Sequence, residues 1–224
     1  MELNYQSLKE RQRRLREGFP KALALRTHRA LSWLDRAEQE AVRGDQDARF
    51  VFLWIAFNAA YANEIGDRRD FSERRLLLNF LNRLIDSDRD KLMYELLWNR
   101  YSGALRLLIE NHYVYPPFWD FVNGQITEAD WKARFERSRS AAGRALANSD
   151  AKKVFAITFD RLYTLRNQIV HGGATWNSSV NRSQVKDGAN ILGDVVPVII
   201  HLMMENPGQL WGEPCFPVVG IFEP

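Results

Sequence analysis

Phe50-Val51-Phe52-Leu53-Trp54-Ile55-Ala56-Phe57-Asn58-Ala59-Ala60-Tyr61-Ala62 is the longest apolar run in the chain, interrupted only by Asn58. About 13 residues is too short for a bilayer, which takes about 20. Trp54, Phe57, Asn58 and Tyr61 fall at i, i+3, i+4 and i+7, one stripe of a helix that is apolar nearly all round. Such a helix, over about 46–65, belongs in the middle of a helical bundle. Upstream, the polar turn Gly44-Asp45-Gln46-Asp47 follows one or two basic amphipathic helices over 5–43, with a break expected at Gly18-Phe19-Pro20. Residues 1–43 carry ten Lys/Arg against six Asp/Glu, whereas 184–224 carry one against five. The excess of arginine over lysine on the basic portion suits phosphate contact, and equally a solvated helix surface.

Downstream the helical pattern continues. Ser72 and Arg75 open a helix near 72–86, and another covers about 88–110, with a possible interruption at Ser102-Gly103. Pro116-Pro117 punctuates the chain before a short aromatic segment, Phe118 to Val122. Thr127 caps a helix over 128–147 whose face holds Arg134, Arg137, Arg139 and Arg144. Val154, Phe155, Ile157, Thr158, Leu162, Leu165 and Ile169 give the next helix, about 150–170, its buried stripe, and Gly172-Gly173 stops it. A loop, Ala174 to Arg182, leads to a last helix near 183–205. The expectation is an all-α fold, a single domain over 1–224 with its bundle core at about 45–205. An irregular tail over 206–224, with four prolines and three glycines, lies extended against it or forms a short strand. The single cysteine, Cys215, excludes a disulfide framework and a Cys-rich zinc site. With no apolar signal core in MELNYQSLKERQRR, the expected location is the cytoplasm, with no membrane partner.

Function turns on Arg166-Asn167-Gln168-Ile169-Val170-His171-Gly172-Gly173. An arginine for a phosphate, an amide and an imidazole at a helix end are the groups that metal-free RNA cleavage needs. The bare arginine–histidine spacing carries little weight, because the chain holds 24 arginines and a comparable pair, Arg106 with His112. That pair lacks both the amide after the arginine and the glycine stop. On a helix Asn167 and His171 share a face, so the amide could orient the imidazole. Arg166 lies about 140° round the axis from His171, at roughly 100° per residue. The two would therefore meet across a two-fold axis between copies of the chain. The bland alternatives are a helix-terminal histidine answering the dipole, worth about 0.3–1 kcal/mol, and a surface salt bridge for the arginine.

RNQIVHG resembles the arginine–polar–x3–histidine motif of the HEPN superfamily, the higher eukaryote and prokaryote nucleotide-binding domains. The stripe Trp54, Phe57, Asn58 and Tyr61 on an early buried helix is similar as well. The resemblance implies a HEPN-like bundle, a homodimer, and often a metal-independent endoribonuclease in toxin–antitoxin or antiviral systems. Arg166, Asn167 and His171 match the motif's catalytic positions; no cofactor or metal is implied. In one HEPN toxin group a tyrosine modified by the antitoxin stands two residues after the histidine, where this chain has Gly173. The departure counts against regulation by that route and the antitoxin pairing with it, while the resemblance still implies an antitoxin or defence-system partner. The implied chemistry is attack of the 2′-hydroxyl on the adjacent phosphorus, with imidazole general acid–base help of roughly 10²–10⁴-fold. The runner-up is a HEPN-like module that binds RNA, nucleotide or protein without cutting.

Other residues offer less. Asn58 would bond backbone or core polar groups, or support Arg166 or Asn167. Trp176 would stack on a base or anchor its loop. Asn181, Arg182 and Gln184 would cap the last helix or meet an anion. His28, His112 and His201 are isolated and read as surface or core residues.

Overall fold

Short polar residues set where the first helices begin. In the computed structural model, which describes residues 2–62, 73–179, 182–209, 211–214 and 216, Asn4 forms a capping box with Ser7 and opens α1 (Tyr5–Leu15). A 3-10 turn, Arg16–Gly18, leads to α2 (Lys21–Arg43), which Gly44 ends in the left-handed conformation at φ 79°. Asp45 accepts the Ala48 N–H and starts α3 (Gln46–Tyr61). There follow α4 (Glu73–Ser87), α5 (Leu92–Glu95) with a π turn at Leu96–Arg100, α6 (Ser102–Glu110) and a 3-10 turn at His112–Val114. α7 (Pro116–Val122), α8 (Glu128–Ala147), α9 (Ala151–Val170) and α10 (Arg182–Glu205) complete the chain. The protein is all-helical over the described residues.

One expected helix is divided differently. The stretch 88–110 is interrupted at its start, because the Asp88 carboxylate accepts the N–H groups of Leu92 and Met93 and caps α5 there. It then widens into the π turn, while Ser102-Gly103 lies inside the first turn of α6. Ser72 falls outside the described residues, as do Asn181, Cys215 and the tail beyond Phe216.

α3 is the central element. No residue from Phe50 to Tyr61 is exposed, and α2, α9 and α10 pack around it. Phe57 lies 4.6 Å, centroid to centroid, from both Tyr61 and Phe159. Each such buried ring contributes roughly 1.5–3 kcal/mol by leaving water. α10 comes close because it carries Gly188. A Cβ there would sit 2.9 Å from Phe50 Cε2 and 3.1 Å from Leu165 Cδ2. α10 is also long and apolar enough to cross a membrane, but 72% of its apolar window is buried in the bundle. The buried Arg26 of α2 donates to the carbonyls of Ala60, Gly212 and Glu213, which holds 212–213 against the bundle. Trp211 packs there against Phe80.

A second aromatic cluster joins α7 and α8 to α9. Trp131 and Phe118 lie 5.2 Å apart, and Arg161 of α9 reaches over the Tyr115 ring at 4.2 Å. His112 belongs to this cluster, 4.8 Å from Phe118. Packing thereby accounts for His112 of the competing pair, while Arg106 is exposed. His28 is exposed and His201 is half-buried.

Candidate functional site at the end of α9

The octet closes α9. Gly172, at φ 72°, donates its N–H to the Ile169 carbonyl at 3.2 Å, and Gly173 donates to Gln168 at 2.7 Å. These two bonds are the 5→2 and 6→1 pair that ends a helix on a left-handed residue. A Cβ on Gly173 would stand 3.0 Å from the Gln168 carbonyl oxygen. The tight stop thus accounts for a glycine at position 173.

Arg166 is half-buried, and its Nη1 donates to Asn167 Oδ1 at 2.9 Å. The guanidinium lies 5.9 Å from the centre of the Tyr163 ring, and its Nε is buried without a hydrogen-bond partner. Among the described residues no carboxylate pairs with it. His171 occupies the cap position after the helix and is exposed. Its backbone N–H donates to the Asn167 carbonyl at 3.0 Å, while its ring makes no hydrogen bond or ion pair among the described residues. The structure therefore brings Asn167 to Arg166 and not to the imidazole. Among the described residues the expected amide–imidazole bond is not made, and the Asn167 side-chain oxygen accepts from the guanidinium instead.

Gln168, which the sequence did not single out, donates from Nε2 to the Tyr113 carbonyl at 2.6 Å and fastens the octet to the turn before α7. The loop after the glycines is fastened to the start of α3. Trp176 Nε1 donates to Asp45 at 2.9 Å, the Asn177 N–H to Asp47 at 3.2 Å, and Arg182 pairs with Asp47 at 2.6 Å. Burial alone would push the Asp45 carboxyl up, but the Ala48 and Trp176 N–H groups hold it below the usual range. The indole ring itself remains 72% exposed. Arg182 is neutralised by Asp47, and Gln184 is half-buried with its oxygen accepting from Ser183, so neither stands ready for an anion. Beneath the loop lies a cavity of about 280 Å³ whose lining includes Phe52, Leu165, Ile169 and Trp176.

No family model matches this chain, and no curated protein or solved structure matches it. Asn58 is half-buried and makes no side-chain hydrogen bond to Arg166 or Asn167. Among the described residues no group of three His, Cys, Asp or Glu gathers as a metal site requires. The residue most poorly anticipated is Arg161, 2% exposed, in register with Val154, Thr158 and Leu165 on the buried face of α9. An arginine within an apolar stripe was the available signal.

Proposed function

We propose that the protein is a HEPN-like, metal-independent endoribonuclease acting as a homodimer in a toxin or antiviral-defence setting in the cytoplasm. The observation that carries the reading is Arg166. Its guanidinium is held by a neutral amide, without a carboxylate partner among the described residues, one turn from an exposed imidazole. A cation positioned but not neutralised is suited to non-bridging phosphate oxygens, where electrostatic stabilisation often contributes most to the rate. His171 takes the 2′-hydroxyl proton as O2′ bonds to phosphorus, and a proton passes to O5′ as the P–O5′ bond breaks. The products are a 2′,3′-cyclic phosphate and a 5′-hydroxyl. Helical spacing sets the two about 140° apart round the axis, so the reading draws Arg166 and His171 from different protomers.

The test is incubation of purified protein with total tRNA. Cleavage that survives EDTA and disappears in His171→Ala is expected. Cleavage removed by EDTA and restored by a divalent ion would sink the mechanism. One observation favours the non-catalytic reading, a module that binds RNA, nucleotide or protein: among the described residues nothing hydrogen-bonds the His171 ring. Under that reading wild type and His171→Ala are equally tolerated on expression, whereas the nuclease makes only the wild type toxic.

A further inference from the structure

Arg161 is the most conspicuous charge outside the octet. It is 2% exposed and, among the described residues, makes a single hydrogen bond, from Nη2 to Ser138 Oγ at 3.1 Å. Its Nε is buried without a partner, and among the described residues no carboxylate lies within ion-pair distance. Guanidinium carries five N–H donors, and a buried cation is costly unless it is paired and hydrogen-bonded. The rings of Tyr115 at 4.2 Å and Phe135 at 5.7 Å offset only part of that cost. Burial pulls the Arg161 pKa down to about 10, with Tyr115 and Asp160 opposing. Ordinary packing would seldom leave a guanidinium in this state.

The residue also lines a cavity of about 720 Å³, bounded by side chains from α3, α4, α7, α8 and α9. That volume is typical of small-molecule sites, which combine an apolar wall with a few placed polar groups. Here the wall includes Tyr61, Tyr163 and Ile157, and the polar groups include Ser138, Thr164 and the exposed Lys153. Asp160 lines it too, but no ion pair joins it to Arg161. We propose that this cavity binds a small organic anion, a phosphate or carboxylate head on Arg161 with a planar or apolar body against the tyrosines. No octet residue lines the cavity, although its Tyr163 ring also lies beside the Arg166 guanidinium, and the proposal does not depend on nuclease activity.

Calorimetric titration of the full chain with phenyl phosphate, benzoate and phenol tests this. Both head-group chemistries are thereby offered on one body, beside its neutral counterpart. The expected outcome is binding of at least one anion and at least tenfold weaker binding of phenol, with the tighter anion naming the head group. Arg161→Met abolishes anion binding, Lys153→Met weakens it about threefold to tenfold, and Arg166→Ala and His171→Ala leave it unchanged. Arg161→Met should also melt no lower than wild type, since an apolar side chain removes the buried charge. If that variant does not fold, Lys153→Met and the phenol comparison decide. Equal affinity for phenol, no binding of either anion, or loss in Arg166→Ala with retention in Lys153→Met would overturn the proposal.

Discussion

Asn167 gives its side-chain oxygen to Arg166, and this assigns it a role that substitution can separate from its neighbours'. If the amide positions the guanidinium, Asn167→Ala lowers RNA cleavage by roughly 10–100-fold, the scale of a misplaced catalytic group. Asn167→Asp lowers it further, because a carboxylate there neutralises the phosphate-binding charge. Were the amide serving the imidazole instead, Asp would preserve or raise activity, so single-turnover rates of the two variants distinguish the roles. Spacing alone placed Asn167 beside both partners, and only side-chain reach decided between them. Another residue-scale consequence concerns His201, half-buried with an unpartnered Nδ1. Burial and then Arg11 hold its pKa below the ordinary 6.5, against the pull of Glu205, Asp90 and Asp88. The folded state therefore resists a proton that the unfolded chain accepts. This contribution to stability is complete above about pH 6.5 and is lost as pH falls below it. Urea midpoints at about pH 7.5 and pH 5 should differ more for wild type than for His201→Gln. Equal differences would show that the ring is not the titrating group.

Helix boundaries were legible where they are local: the polar turn at 44–47, the Thr127 cap and the stop at Gly172 act within a turn of the chain. The division of 88–110 was not, since Asp88 serves equally well as a helix residue or as the cap of α5. Which helices touch was also beyond periodicity. Gly188 reads as an ordinary helix-weakening glycine, yet it is the point where α10 meets Phe50, Leu162 and Leu165. Gly143, exposed on α8, has nothing within 4 Å of an added Cβ. The same substitution should thus have opposite effects at the two positions. Gly143→Ala should stabilise by about 0.5–1 kcal/mol through helix propensity. Gly188→Ala gains the same propensity but overpacks three core side chains, which costs about 1–3 kcal/mol and lowers net stability. Denaturant midpoints measure both, and a stabilised Gly188→Ala would show that α10 can shift off α3 at no cost.

At the scale of a dimer, the proposed reading draws Arg166 and His171 from two chains, because helical spacing sets them about 140° apart round the axis. Two exposed apolar side chains, Val170 in the motif and Trp176 in the loop after it, suit a contact there. A two-fold dimer holds two such sites, each with Arg166 from one protomer and His171 from the other. Arg166→Ala and His171→Ala proteins are then individually inactive. In a heterodimer of the two, one site loses both groups and the other keeps both. If subunits exchange freely at equal concentrations, half of the dimers are mixed and each has one good site, which restores about a quarter of wild-type cleavage. Were both groups drawn from one chain, every site in the mixture would lack one of them and no activity would return. Mixing the two inactive proteins and following tRNA cleavage over time therefore reads out the architecture directly, with the added charge of Val170→Asp expected to block the recovery by preventing the chains from pairing.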